Sequence, residues 1–117
     1  MGYKVLVTDD SAFMRSMVSK VISETDSEVI GEAVDGADGV EKYKELNPDI
    51  VFLDIMMPNM NGIDALKAIK AINPNARVVM CTSVGQEKVI TQAVEAGASD
   101  FIVKPFKKED IIAVLSK

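Results

Sequence analysis

Two adjacent acids at Asp9-Asp10, a third at Asp54, hydroxyls at Thr82-Ser83 and a lysine at Lys104 before Pro105 are the side chains of this chain best suited to chemistry. Each follows a short run of β-branched and apolar residues, so each is expected where a buried strand ends. Carboxylates about 4 Å apart repel by roughly 4 kcal/mol at an effective dielectric of 20, so three ionised aspartates on one rim require a cation. Three acids and one lysine leave a local charge of about −2, which matches a single hard divalent ion with oxygen ligands such as Mg2+. An acidic rim of this kind handles phosphate. Asp54 stands alone after its run, where its carboxylate could attack phosphorus while Mg2+ and Lys104 neutralise the transferring oxygens. Thr82 is placed to donate to the new phosphoryl oxygens, and Phe101 on the next strand could turn inward behind it, a two-state packing switch.

For these residues to meet, five strands must end on one side. The apolar runs are Lys4-Val5-Leu6-Val7-Thr8, Glu28-Val29-Ile30-Gly31, Ile50-Val51-Phe52-Leu53, Val78-Val79-Met80-Cys81 and Phe101-Ile102-Val103. Between them lie amphipathic segments. Phe13, Met14, Met17, Val18, Val21 and Ile22 form a helical stripe with Ser11 as its N-cap. Residues 37–46 form a second helix stopped by Asn47-Pro48, and Ile63, Leu66, Ile69 and Ile72 a third stopped by Asn73-Pro74. Val89, Ile90, Ala93 and Val94 form a fourth ending at Gly97, and Ile111, Ile112 and Leu115 a short last one. Alternation of this type predicts an α/β fold with a parallel sheet covered by helices on both faces, and by analogy with flavodoxin-like (βα)5 doubly wound sandwiches the strand order is expected to be 2-1-3-4-5. In such sheets ligands bind outside the carboxyl ends of the strands, beside the first and third, where the order reverses.

Composition narrows the field further. The 117 residues suffice for one core, and 48% hydrophobic with 26% charged residues is ordinary for a soluble domain. A net charge of −5 disfavours nucleic-acid binding. With no apolar run long enough to cross a bilayer and no leader pattern, cytoplasmic residence without membrane insertion is expected. Cys81 falls inside an apolar run and reads as a buried thiol. The absence of histidine excludes a Ser-His-Asp triad, a His-ligated zinc site and autophosphorylation on histidine.

The stretches Val7-Thr8-Asp9-Asp10-Ser11, residues 54–62 from Asp54 to Gly62, Cys81-Thr82-Ser83, and residues 97–106 from Gly97 to Phe106 together resemble the receiver domain of CheY-type chemotaxis response regulators, across essentially the whole chain. The resemblance implies one receiver domain over residues 1–117, a monomer, that accepts a phosphoryl group on Asp54 from a chemotaxis histidine kinase. It implies Mg2+ held by Asp10, Asp54 and the Met56 backbone carbonyl, with Asp9 acting through water. It implies that Lys104 binds the phosphoryl group, that Thr82 senses it, and that Phe101 reports to a surface of helix four, strand five and helix five. There a flagellar or archaellar motor switch or an adaptor protein would dock. The protein would be a switch with only self-directed phosphotransfer and autodephosphorylation. A cis Lys104-Pro105 bond also follows from the resemblance.

Departures from the family pattern bear on mechanism. Phe101 replaces a tyrosine, so the switch works by packing alone. Met56 and Val84, two residues beyond Asp54 and Thr82, are apolar and cannot orient a hydrolytic water, which predicts slow autodephosphorylation. Residues 9–15 are also similar to the receiver portion of chemotaxis methylesterases, so an excised regulatory domain is the second reading. A haloacid-dehalogenase-like phosphatase, which also uses a strand-end aspartate with Mg2+, would need an acid at position 56, where this chain has methionine. A flavodoxin-like nucleotide binder would need a Gly- or Ser/Thr-rich loop in place of Asp9-Asp10-Ser11-Ala12.

Overall fold

A computed structural model describes residues 2–57, 59–83, 87–104 and 106–116. Five strands alternate with five helices: β1 (Lys4–Thr8), α1 (Ala12–Ser23), β2 (Glu28–Ala33), α2 (Gly36–Leu46), β3 (Ile50–Asp54), α3 (Gly62–Ile72), β4 (Arg77–Ser83), α4 (Glu87–Glu95), β5 (Asp100–Lys104) and α5 (Lys108–Leu115). All four strand pairings are parallel and the order is β2-β1-β3-β4-β5, as expected.

Side chains along each strand point alternately to the two faces, which divides the core in two. Leu6, Val51, Leu53, Val78 and Met80 pack beneath α2, α3 and α4 with Val40, Tyr43, Leu66 and Ile69. Val5, Val7, Phe52, Val79, Cys81 and Ile102 pack beneath α1 and α5 with Val18, Ile22, Ile111 and Val114. The central strand β3 is buried throughout. Burial of Phe52, 1% exposed, contributes on the order of 2–3 kcal/mol.

The helix boundaries follow from capping chemistry. Ser11 accepts from the Met14 N–H, Asp35 from Asp38 and Asn61 from Asp64, each three residues on. Asn47 closes α2 in the left-handed conformation (φ 48°), and Gly97 follows α4 at φ 99°.

Three apolar side chains assigned to helix stripes lie outside the core. Phe13 is 74% exposed, Val94 56% and Ile72 45%. Phe13 belongs to the first turn of α1, next to the carboxyl end of β1, while Val94 is one residue past Ala93, the side chain α4 buries.

Candidate functional site

Strand register brings the acids together. Thr8 of β1 pairs with Leu53 of β3, so Asp9 and Asp54 continue their strands at the same level. Asp54 pairs with Cys81 of β4, and Lys104 pairs with Ser83, two residues further along. Lys104 therefore starts beyond the rim and its long side chain reaches back. Its Nζ lies 3.2 Å from Asp9 Oδ2 and 3.2 Å from Asp54 Oδ2, so one ammonium serves two carboxylates. The aromatic ring of Phe106 lies 5.9 Å from the same nitrogen.

Asp9 and Asp54 are buried, whereas Asp10 is exposed. Asp9 is held from several sides: its Oδ1 accepts the Ser11 N–H at 2.9 Å, and its carbonyl accepts Arg15 Nη1 at 2.7 Å. Arg15 in turn pairs with Glu32 on β2. Burial and the neighbouring Asp9 charge push the Asp54 carboxyl up to about 6, with Lys104 opposing. Burial pulls the Lys104 ammonium down, but the charges of Asp54 and Asp9 outweigh it and the net displacement is upward. Burial also pushes the Cys81 thiol well above its ordinary range, so it is inert packing.

One carboxylate oxygen from each of Asp9, Asp10 and Asp54 lies within 4.8 Å of the others. Opposite ligands of an octahedral Mg2+ lie about 4.2 Å apart, so a small closure would let this all-oxygen set reach one hard cation. The donor chemistry fits Mg2+. Lys104 would then give up part of its contact with the acids.

The loop after β3 is pinned at its base. Ile55 donates its N–H to the Cys81 carbonyl at 3.1 Å and accepts from Gly62 at 2.8 Å. A Cβ on Gly62 would stand 2.2 Å from the Asp54 carbonyl oxygen, so only glycine permits this close approach. Met56 follows with its side chain 65% exposed.

Thr82 is 2% exposed at the end of β4, where among the described residues its hydroxyl makes only a long bond, 3.3 Å, to the neighbouring Ser83 carbonyl. Its cross-strand partner is Val103, whereas Phe101 pairs with Met80. Thr82 and Phe101 are thus diagonal neighbours, and Phe101 packs partly buried against the α2–α4 side of the core. Val84 and Pro105, with its proposed cis bond, lie outside the described residues.

Arg15, Phe106 and the Asp35–Asn59 pair were not singled out from sequence. Arg15–Glu32 and Asp35–Asn59 join residues 17 and 24 positions apart, and Phe106, though only two residues past Lys104, faces the ammonium only because Lys104 reaches back over the rim. The one local signal was Asn59 itself, a turn-forming residue in Asn59-Met60-Asn61-Gly62.

The response regulator receiver domain family model matches residues 5–116. The chemotaxis protein CheY of Thermotoga maritima is 52% identical, over all of this chain and 98% of that protein. Its Bacillus subtilis namesake is 47% identical with the same coverage. Among solved structures, a CheX-CheY-BeF3-Mg2+ complex from Borrelia burgdorferi is similar with a TM-score of 0.92 and 38% identity, covering 97% of this chain and 87% of that one. Among the described residues no helix is long and apolar enough to cross a membrane.

Proposed function

Because the chain belongs to the response regulator receiver family, as a receiver of the CheY chemotaxis type, we propose that it is a Mg2+-dependent switch phosphorylated on Asp54 by a chemotaxis histidine kinase. The observation that carries this reading is the shared rim on which one oxygen each of Asp9, Asp10 and Asp54 lies within 4.8 Å of the others, with Lys104 between two of the acids.

Asp10, Asp54 and the Met56 carbonyl would hold the ion, with Asp9 acting through water; when bound, Mg2+ offsets charge on the transferring oxygens. The related receiver solved with BeF3 and Mg2+ supports this assignment. The rest is work for the chain. Asp54 must be ionised to attack, and a carboxyl at about 6 is largely ionised above neutrality. As its oxygen bonds to phosphorus, the P–N bond to the donor histidine breaks and the imidazole leaves with the electron pair. Lys104 moves its charge from the acids to the phosphoryl oxygens.

The Thr82 hydroxyl exchanges its long bond to Ser83 for one to a phosphoryl oxygen. Phe101 repacks into the space released, and the change reaches the α4-β5-α5 surface, where Val94 and Val103 are exposed. A motor switch or adaptor protein docks there. Residues 1–117 act as one cytoplasmic, monomeric receiver domain whose only chemistry is its own phosphorylation and slow dephosphorylation. CheY relatives 52% and 47% identical over all of this chain support the chemotaxis-regulator reading, with the receiver portion of a methylesterase as the second reading.

Intact mass after incubation with a small phosphodonor tests the reading. The expected result is one added phosphoryl group in Mg2+, none in chelator and none in Asp54→Asn. An unchanged wild-type mass in Mg2+ would refute it.

A further inference from the structure

The loop that carries Met56 is held at a second place, away from the acids. Asn59 adopts the left-handed conformation (φ 66°), and its Nδ2 donates to Asp35 Oδ2 at 2.7 Å. Gly36 donates its N–H to the Met60 carbonyl at 3.1 Å. A Cβ on Gly36 would stand 2.1 Å from that oxygen, so α2 and the loop approach as closely as the backbone permits. The same Asp35 caps α2 through its other oxygen, which accepts the Asp38 N–H at 2.8 Å. One carboxylate therefore fixes both the start of α2 and the far side of the loop.

Met56 lies between this clamp and the base of the loop, where Ile55 is bonded to Cys81 and Gly62. Only Met57 and Pro58 separate it from Asn59 in sequence, a tether short enough to pass a shift of the clamp to the Met56 peptide. We propose that Asp35 and Asn59 are positioning residues that set Mg2+ affinity by fixing the Met56 carbonyl, without touching the ion themselves. The inference rests on the Mg2+ site proposed above and adds to it two residues on the exposed side of the loop.

Charge and clamp make opposite predictions for Asn59→Asp. An added negative charge near the site would tighten Mg2+ by attraction. Apposed carboxylates at 35 and 59 would instead open the clamp and weaken it. The exchanged pair Asp35→Asn/Asn59→Asp has the charge of the wild type. It keeps the α2 cap, since asparagine caps as well as aspartate, and restores the hydrogen bond with donor and acceptor reversed. Asn59→Gly retains the left-handed backbone and loses only the side-chain bond.

Calorimetric Mg2+ titration of these proteins, with thermal melts in chelator as a control on folding, provides the test. Asn59→Asp should bind about tenfold more weakly and Asn59→Gly about threefold, with the exchanged pair within about twofold of wild type. Weakening that the exchanged pair does not reverse, equal affinity in all variants, or tighter binding by Asn59→Asp would overturn the clamp. No Mg2+ binding by the wild type would instead overturn the metal assignment, and the clamp's role with it.

Discussion

The two ends of the sheet treat polar groups differently. At the amino end, the Tyr3 N–H donates to Ser27 Oγ and the Lys4 N–H to Asp49 Oδ2. Arg77 donates to the Val114 carbonyl at 2.7 Å while its guanidinium lies 5.3 Å from the Tyr3 ring. These are ordinary contacts between complementary groups. At the carboxyl end, two buried carboxylates share one ammonium, a third acid stands beside them, and the buried Thr8 hydroxyl finds no partner among the described residues. Polar groups at the amino end stabilise the native state; at the carboxyl end, under the proposed function, they hold charge in readiness for a cation and a phosphoryl group. A domain can carry such a rim because its double-sided core is formed elsewhere.

Breaking the rim should therefore have effects that metal reverses, and breaking the amino end should not. Lys104→Met keeps the apolar stem but removes the shared cation. It should lower stability by about 2 kcal/mol in chelator, less than for a fully buried pair because the side chain is 22% exposed. Mg2+ should restore most of the loss in denaturant titrations. Arg77→Met should cost about 1.5 kcal/mol from the lost hydrogen bond and ring contact. In that variant chelator and Mg2+ should give the same deficit, with Mg2+ affinity unchanged. Thr8→Val removes an orphan hydroxyl with little change of shape. It should raise stability by about 1 kcal/mol, and a loss by equilibrium unfolding would mean that the hydroxyl has a partner.

The same contrast governs what could be read from sequence. All five strand runs lie within observed strands, but only the inner three, β1, β3 and β4, are the buried strands expected of continuous apolar runs; at the edges β2 buries only Ala33 and β5 only Ile102, because each has a neighbour on one side alone. Their polar ends were less legible: β2 continues to Ala33 and β4 to Ser83, where pairing with β1 and β5 outweighs the weaker local pattern. Helical periodicity placed Phe13 in a buried stripe, but it carries no information on where the sheet beneath a helix ends. The acids and Lys104 were legible because each directly follows or ends an apolar run. Their register, the two-for-one sharing of Lys104 and the Asp35–Asn59 bond were not, since they join residues 95, 50 and 24 positions apart, as the Lys104–Asp9, Lys104–Asp54 and Asn59–Asp35 contacts show.

Thermal unfolding of the wild type and Asp54→Asn, from pH 4 to 7.5 in chelator and then in Mg2+, tests most directly whether the rim is held in frustration. The Asp54 carboxyl is raised in the fold, so the native state retains its proton where the unfolded chain has lost it. Stability from this group thus falls as pH rises from about 4 to about 6, by up to about 3 kcal/mol. In chelator at pH 7.5 Asp54→Asn should melt higher than the wild type, with the gap closing toward pH 4. Mg2+ should raise the wild-type midpoint well above its chelator value and the variant's much less. A variant that melts lower than wild type in chelator, or equal gains from Mg2+ in both proteins, would contradict the account.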